Sequence, residues 1–392
     1  MLIIHLGYPG FPFGNATIKR ILLTFKAIKI GGLTPLIFNK QTLHRIKTGK
    51  HVNRFQGIPY INTSPILYRP DSLILRNINK LFGFIIEFCV IVKKRKKIHS
   101  AIFYHSSIIE LCYYRVLSKV LNFKLIVHYV EFRSEIPERK KSIKHINDWL
   151  FDNFSSSLCD KFIVISEYLL DHVRNINKTI PILKIPAICN FDEFGYLEKN
   201  KESKYLMYCG GIMYLSIIEF ILDLYIELQK NKSYAGKLFL AIGGGENEIH
   251  GFKVLKARIE SSGFEDKIVL MKNVPHGELI ELYANSELLI VPLRNTLQDI
   301  AGFHHKIGEY CASRKPIIST NLAEMKFYFK DDESAILAEE YSLQSYLKRL
   351  SCILSDKDKL IKIGEESYKV GMLQLNYKVY SDKLVHFLTA IN

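Results

Sequence analysis

The sequence predicts an α/β protein built from two doubly wound parallel sheets, and three observations support that fold class. Short apolar runs alternate with amphipathic helical segments along the chain. The alternation stops at a polar, charged stretch at 196–204 and then begins again. The 392 residues, of which 48% are hydrophobic, are enough for two domains that each bury an ordinary core.

The first half opens with a strand, a glycine-bearing loop and a helix. The strand is predicted at 2–6, the loop runs to Gly14, and 15–30 has apolar residues at helical spacing. This order at the start of an α/β unit places a ligand at the carboxyl edge of the sheet. The later elements predicted in this half are strands at 36–39, 101–104, 125–130 and 161–166, and helices at 71–92, 108–121 and 145–158. The stretch 45–70 is polar and shows no clear period.

Two side chains at predicted strand ends are candidates for a reaction centre. Glu131 follows the apolar run 125–130, and His105 follows the run 101–104. Because the carboxyl ends of parallel strands meet at the ligand edge of a sheet, Glu131 is expected to lie close to a bound ligand. A single histidine at a strand end is more often structural, so His105 is the weaker candidate.

The second half repeats the alternation of predicted strands and helices seen in the first half. Its predicted strands lie at 205–209, 238–242 and 268–270, and its predicted helices at 217–228, 278–285, 343–354 and 377–391. Gly210 and Gly211 are predicted to form a turn after the first of these strands, and 243–245 is a glycine turn after the second. Such permissive backbone allows a ligand to approach closely.

The stretch 291–320 carries the strongest site prediction. A buried strand ending at Pro292 leads into a loop that contains Gly302, and a helix follows at 304–312. Lys306 in the first turn of that helix and the helix N-terminus offer positive charge to a diphosphate. Glu309, on the same face, can accept hydrogen bonds from two vicinal hydroxyls such as those of a ribose. The alternative is that Lys306 and Glu309 form a solvated ion pair.

The same stretch resembles the donor-site signature of GT-B glycosyltransferases of the retaining family 4 type. The matching residues are Arg294, Gln298, Gly302, Phe303, Lys306, Glu309, Tyr310, Ala312, Ser313 and Pro316. Three departures from the pattern fall at four positions: His304 and His305 replace Pro-Ser/Thr, Arg314 replaces a glycine, and Ala301 replaces a glutamate that this subgroup generally lacks too. The departures bear on which sugar is used more than on the fold.

This resemblance implies a GT-B fold, with two Rossmann-like domains facing a cleft. It implies an acceptor-side domain at 1–195, a nucleotide-sugar-binding domain at 196–376, and a C-terminal helix at 377–392 that crosses back to the first domain. The implied activity is a retaining, hexosyltransferase-type transfer of a sugar from a nucleotide diphosphate to a membrane-associated glycan or glycolipid acceptor. The implied setting is bacterial surface polysaccharide or glycoprotein glycan biosynthesis, and no metal is expected.

Site roles follow from the same resemblance. Glu131 is expected near the transferred sugar, and Lys306 and Arg294 are expected to carry the diphosphate charge, because the loop 213–216 lacks the cation that related enzymes hold there. The residues expected to bind the nucleotide sugar are Gly14, Gly210, Gly211, Gly244, Val274, Pro275, Gly302, Phe303, His304, His305, Lys306 and Glu309.

Positive charge is concentrated in the first half of the chain. Residues 1–195 hold 29 lysines and arginines against 13 acidic residues, net +16, whereas the remainder has a net charge of −1. Five consecutive cations at 93–97 follow an apolar helical stretch, which is typical of an anchor on an anionic membrane surface. Two alternatives would explain the positive charge without a membrane. The cations at 93–97 could be a solvated helix end, and the lysine-rich composition could be set by an AT-rich genome.

The chain is therefore expected to be cytoplasmic and peripherally associated with the inner face of the cell membrane. Its first ten residues lack a basic n-region, and its seven cysteines are dispersed without CxxC spacing. No nucleic-acid partner is expected, although a non-catalytic basic module that binds membrane or nucleic acid stays open as an alternative. A sugar-nucleotide epimerase or a phosphorylase of GT-B architecture also stays open.

Overall fold

The computed structural model describes residues 1–14, 16–42, 50–136, 142–195, 204–245 and 249–390. The chain divides into two compact units. The first unit comprises Met1–Ile188, Ala301–Phe303 and Tyr377–Asn392, and the second comprises Cys189–Ile300 and His304–Asn376. Residues 196–203 of the predicted linker, and residue 15 at the start of the first predicted helix, lie outside the described residues.

The first unit contains a sheet with the order of a doubly wound domain. Its strands are β1 (Leu2–Gly7), β2 (Thr34–Asn39), β3 (Val52–Phe55), β4 (Ile58–Asn62), β5 (Ile98–Tyr104), β6 (Lys124–Tyr129), β7 (Lys161–Val164) and β8 (Ile182–Lys184). They lie in the order β3-β4-β2-β1-β5-β6-β7-β8, and only the β3–β4 pair is antiparallel. From β4 to β7 this is the arrangement 3-2-1-4-5-6, in which the strand order reverses between β1 and β5.

A β-hairpin occupies part of the stretch in which the sequence shows no clear period. β3 and β4 are joined by Gln56 and Gly57, whose φ angles are 47° and 80°. Positive φ at both central residues gives the hairpin turn whose twist suits two antiparallel strands. The hairpin therefore depends on its turn and not on alternating hydrophobicity, which explains why periodicity missed it.

The helices of the first unit agree closely with the sequence prediction. They are α1 (Ala16–Ile30), α2 (Leu73–Lys94), α3 (Ile108–Leu121), α4 (Ile143–Phe154) and α5 (Glu167–Ile176). The hydroxyls of Ser72, Ser107 and Ser166 cap α2, α3 and α5 by accepting hydrogen bonds from first-turn N–H groups.

The second unit contains a parallel sheet of the same order. Its strands are β9 (Tyr205–Gly211), β10 (Lys237–Gly243), β11 (Ile268–Lys272), β12 (Leu288–Val291), β13 (Ile317–Thr320) and β14 (Ile336–Ala338), arranged β11-β10-β9-β12-β13-β14. Gly210 and Gly211 do not form the predicted turn. They continue β9, because they pair in register with Ile242 and Gly243 of β10.

The helices of the second unit include four for which the sequence analysis gave no range. The helices are α6 (Leu215–Lys230), α7 (Ile249–Glu260), α8 (His276–Asn285), α9 (Leu297–Ala301), α10 (His305–Ala312), α11 (Met325–Tyr328), α12 (Leu343–Ile353) and α13 (Lys357–Gln374). The four without a predicted range are α7, α9, α11 and α13. The short α9 lies where a loop was expected. Thr296 precedes α9, and its side-chain hydroxyl accepts a hydrogen bond from the N–H of Asp299 at 3.4 Å.

The C-terminal segment packs in the core of the first unit. A 3₁₀ turn, Tyr377–Tyr380, precedes α14 (Ser381–Thr389), where a single helix was predicted. Leu384 and Leu388 are fully buried in the same apolar cluster as Ile21 of α1. The ammonium of Lys161 donates to the carbonyl groups of Phe387 and Ala390 at 2.7 and 2.8 Å, so β7 holds the end of α14.

Candidate functional site

The second unit forms a pocket where its strand order reverses, between β9 and β12. The pocket is lined by Tyr208, Cys209, Tyr214, Ile217, Val291, Pro292, His304 and Lys306. Ligands of doubly wound sheets bind beyond the carboxyl ends of the strands at this reversal. The structure therefore places Lys306 and His304, two predicted site residues, where a ligand is expected.

Lys306 presents its charge at the end of β9. Its side chain is half-buried, its ammonium donates to the carbonyl oxygen of Cys209, and its Nζ lies 5.6 Å from the centre of the Tyr208 ring. Within the described ranges, no carboxylate lies at ion-pair distance from Lys306, so the alternative of a simple ion pair with Glu309 is not what the structure shows. The cation is fixed in position but is not neutralised.

The N-terminus of α10 lies beside that cation. His304 is the N-cap residue, and its side chain makes no capping hydrogen bond, while its carbonyl accepts from the N–H of Ile307 at 3.1 Å. The positive end of the helix dipole favours an anion there. Burial lowers the pKa of His304, so its imidazole is neutral at pH 7 and adds no further positive charge. Glu309 and His305 are half-buried on the same helix.

Arg294 is held by a carboxylate that the sequence analysis did not single out. Its Nε and Nη2 donate to Asp299 at 2.9 and 3.1 Å, and its backbone N–H donates to the same group at 2.8 Å. The hydrogen bonds that its guanidinium donates to Asp299 raise the pKa of Arg294. Because Asp299 is buried and opposes the charge of Arg294, Lys306 is the stronger candidate for a phosphate contact.

The glycine turn after β10 is clamped by a side chain from the end of β11. The amide of Asn273 accepts from the N–H of Gly244 at 2.9 Å and donates to its carbonyl at 3.0 Å. Asn273 has a φ of 50°, and Val274 and Pro275 follow it before α8 begins at His276. The clamp joins three predicted nucleotide-binding residues, Gly244, Val274 and Pro275, into one local structure.

The other predicted glycines show different environments. A Cβ on Gly210 would lie 2.2 Å from the Tyr208 hydroxyl, so the pocket wall needs glycine there. A Cβ on Gly211 would lie 3.5 Å from its nearest neighbour, which is an ordinary contact. A Cβ on Gly14 would lie 2.7 Å from Ile18. Gly302 and Phe303 belong to the first unit, and neither lines the pocket that contains Lys306.

The first unit has its own pocket at the equivalent reversal, between β1 and the ends of β5 and β6. It is lined by Tyr8, Tyr104, His105, Ser106, His128, Tyr129, Val130, Glu131, Arg133 and Phe151. Glu131 and the weaker candidate His105 therefore share one pocket. Glu131 accepts from Arg133 Nε at 3.1 Å, and His105 Nδ1 lies 3.5 Å from a carboxylate oxygen of Glu110.

A buried arginine fixes His128, one of the two histidines of this pocket. Arg20 in α1 is fully buried, and its Nε donates to His128 Nε2 at 3.0 Å. Its other nitrogens donate to the carbonyl groups of Ile185 and Pro186, each at 2.6 Å. Since a guanidinium can only donate, His128 Nε2 must carry its lone pair towards Arg20. The sequence gives no signal for this contact, which joins residues 108 positions apart.

Comparison with known proteins was consistent with this geometry. Residues 191–370 match the family described as Glycosyl transferases group 1. A sucrose-phosphate synthase from Thermosynechococcus elongatus is 14% identical, with a TM-score of 0.77 over 98% of this chain and 97% of that chain. The Anabaena protein HepE in complex with UDP-glucose is 12% identical, with a TM-score of 0.70 over 100% of both chains.

WaaG, a glycosyltransferase involved in lipopolysaccharide biosynthesis, is 12% identical, with a TM-score of 0.68 over 100% of both chains. No curated protein sequence matches. The predicted GT-B fold is confirmed, and the predicted resemblance to glycosyltransferases is confirmed over residues 191–370.

Proposed function

We propose, from the premise that residues 191–370 match the group 1 glycosyltransferases, that this protein is a retaining glycosyltransferase. It moves a sugar from a nucleotide diphosphate to a glycan or lipid-linked glycan held at the inner face of the cell membrane, in the assembly of a bacterial surface polysaccharide or glycoprotein glycan. The observation that carries the proposal is the unneutralised ammonium of Lys306, at the N-terminus of α10 and the end of β9.

The chemistry assigned to the second pocket is stabilisation of a leaving diphosphate. As the bond from the sugar to the diphosphate breaks, negative charge grows on the phosphate oxygens. Lys306 and the N–H groups of α10 favour that charge, and Glu309 accepts hydrogen bonds from the ribose. Asn273 shapes the glycine turn against which the nucleotide lies.

The chemistry assigned to the first pocket is stabilisation of the positive charge that develops on the sugar, opposite in sign to the charge on the diphosphate. Positive charge develops on the sugar in the transition state, and a carboxylate such as Glu131 stabilises it. The Nε2 of His128 is occupied by the hydrogen bond from Arg20. The acceptor hydroxyl attacks the face that the diphosphate leaves, and its proton passes to a phosphate oxygen of the departing diphosphate.

The test is calorimetric titration with uridine diphosphate, the nucleotide named with the HepE structure. Lys306→Ala should weaken binding by about ten- to a hundredfold, the equivalent of a charge-assisted contact of about 1.5–3 kcal/mol. Lys362→Ala, an exposed lysine of α13, is the matched control and should bind normally. Other nucleoside diphosphates are titrated in parallel, because the nucleobase is not fixed by Lys306.

Unchanged affinity of the folded Lys306→Ala protein for every nucleoside diphosphate would remove the assignment. Conversion of a nucleotide sugar to its epimer without an acceptor would favour an epimerase instead.

A further inference from the structure

The helix α2 packs with its polar side inwards. Its buried residues are Asn79, Gly83, Glu87 and Ile91. Its solvent side carries large apolar residues that are 44–73% exposed, namely Ile74, Ile78, Leu81, Phe82, Ile85 and Phe88. A helix on the surface of a water-soluble domain normally has the opposite arrangement. The exposed side of α2 is therefore suited to an apolar partner.

Specific contacts fix this orientation of α2. A Cβ on Gly83 would lie 2.6 Å from the carbonyl oxygen of Lys40, so the helix approaches that backbone closely only through glycine. The Tyr114 hydroxyl donates to Glu87 at 2.5 Å, and the Lys40 ammonium donates to Tyr114 and Glu110 at 2.8 and 2.9 Å. Rotating α2 to bury its apolar side would break this network and move Glu87 out of it.

The neighbouring helices extend the apolar surface. Phe84 of α2 contacts Tyr113 of α3, with ring centres 5.8 Å apart, and Asn147 of α4 accepts from the N–H of Ile108 in α3 at 3.0 Å. The outward residues of α3 include Ile109, Val116 and Val120, and those of α4 include Ile143, Ile146 and Trp149, all at least 48% exposed. We call the outward sides of α2, α3 and α4 the apolar face.

The exposed charges within α2, α3 and α4 have one sign. The carboxylates in these three helices are Glu87, Glu110, Asp148 and Asp152, and each is buried, at most 8% exposed. Lys93, Arg95, Lys96 and Lys97 at the end of α2, with Lys119 and Lys144, are exposed. In the described part of the chain, no carboxylate lies at ion-pair distance from 93–97.

We propose that the apolar face inserts into an anionic lipid surface, with its apolar side chains at the acyl boundary and the cations of 93–97 against the headgroups. Charge complementarity selects this partner. A second copy of the chain docking through the same face would bring the two sets of cations together without acidic counterparts. The inference deepens the proposed function and rests on it for the assumption that the acceptor is held at a membrane.

The experiment is sedimentation of the full chain with vesicles of phosphatidylcholine alone or mixed equally with phosphatidylglycerol. The test variant is Phe82→Gln with Ile85→Gln, which leaves every charge in place. The control is Phe327→Gln with Ile361→Gln, at similarly exposed positions of the second unit. We expect the test variant to lose at least about tenfold in partitioning to anionic vesicles, while the control binds as the unmodified protein does.

Two further measurements separate insertion from attraction by charge alone. In about 1 M salt, where the Debye length is about 3 Å, part of the binding of the unmodified protein should persist. Trp149 is the single tryptophan of the chain, and its emission should shift to the blue on anionic vesicles, because it lies on the apolar face.

Full binding by the Phe82→Gln and Ile85→Gln variant, or complete loss of binding in high salt, would overturn the proposal. Self-association that these substitutions abolish, with no binding to vesicles, would identify a second copy as the partner and overturn it too. Affinity for uridine diphosphate is measured on the same variants. It depends on the second unit, so failure of the membrane proposal is distinguishable from failure of the proposed function.

Discussion

The two pockets share a topology and differ in their chemistry. Each lies where a sheet of order 3-2-1-4-5-6 reverses direction. The second pocket contains Lys306, a cation without a carboxylate partner among the described residues, next to a helix N-terminus. The first contains the carboxylate Glu131 and the histidine His128, among aromatic side chains. Topology thus fixes where a ligand binds, and the side chains at the strand ends decide what charge it carries.

Each unit also contains an arginine near its pocket, and the two are held differently. Arg294 is paired with the buried carboxylate of Asp299, whereas Arg20 donates to an imidazole and two carbonyl groups. Because Arg20 hydrogen-bonds to several buried partners, its removal should lower the free energy of unfolding. Because Arg294 is paired with one carboxylate, its removal should chiefly change the local geometry of its loop.

The largest expected effect tests that difference. Arg20→Met leaves His128 and two buried carbonyl groups without their donor. It should lower the free energy of unfolding by about 3–5 kcal/mol, since each unsatisfied buried group costs about 1–3 kcal/mol. Denaturation in urea measures it, with Arg54→Met, at an exposed position of β3, as the control that should change stability by less than about 0.5 kcal/mol. A loss below about 1 kcal/mol for Arg20→Met would show that the buried network is not a structural support.

The elements that sequence reasoning found are those that local rules define. The strands and helices that were predicted lie within a few residues of their predicted ranges, because apolar periodicity and serine caps act over short distances. Lys306 lies in the first turn of its helix, and Glu131 lies just beyond a strand, as predicted. The resemblance of 294–316 to a known signature added the expectation of a nucleotide-binding role.

Contacts between distant residues could not be predicted from one sequence. Arg20 and His128, and Asn273 and Gly244, pair only once the backbone has brought them together. The orientation of α2 was equally hidden. The apolar stretch 71–92 predicts a helix correctly, but it does not indicate which side faces the sheet. The contacts of Gly83 and Glu87 show that the polar side does.

A second experiment sharpens the contrast between the pockets. Glu131→Gln should reduce turnover at saturating donor by on the order of a hundredfold, about 2.7 kcal/mol, because its charge counts chiefly in the transition state. Its affinity for uridine diphosphate should not change. Glu309→Gln should instead weaken the nucleotide and the nucleotide sugar alike. Calorimetry and transfer rates on both variants make the comparison.

The contrast would fail if Glu131→Gln lost nucleotide affinity, since the carboxylate would then belong to donor binding. Full turnover in Glu131→Gln would likewise show that the reaction centre lies away from the end of β6.

The smallest expected effect concerns the response of the two units to pH. Burial raises the pKa of Glu87 to about 7 in the first unit. In the second unit burial alone would raise the pKa of Asp332, but Lys359 and Arg349 lower it. A raised carboxyl pKa means that the folded state binds the proton more tightly than the unfolded state. The contribution of Glu87 to the free energy of unfolding is therefore complete below about pH 4.5 and is lost as the pH rises through about 7. The contribution of Asp332 is instead lost as the pH falls through its lowered pKa.

Glu87→Gln removes this titration and keeps the shape of the side chain. The free energy of unfolding of the unmodified protein should therefore fall relative to the variant by on the order of 2 kcal/mol between pH 5 and pH 8. Urea denaturation at a series of pH values measures the difference, and Glu281→Gln, at an exposed position of α8, should reproduce the unmodified profile. Parallel profiles for Glu87→Gln and the unmodified protein would mean that Glu87 carries the same charge folded and unfolded. Its contact with Tyr114 would then hold a carboxylate and not a carboxylic acid beneath the apolar face.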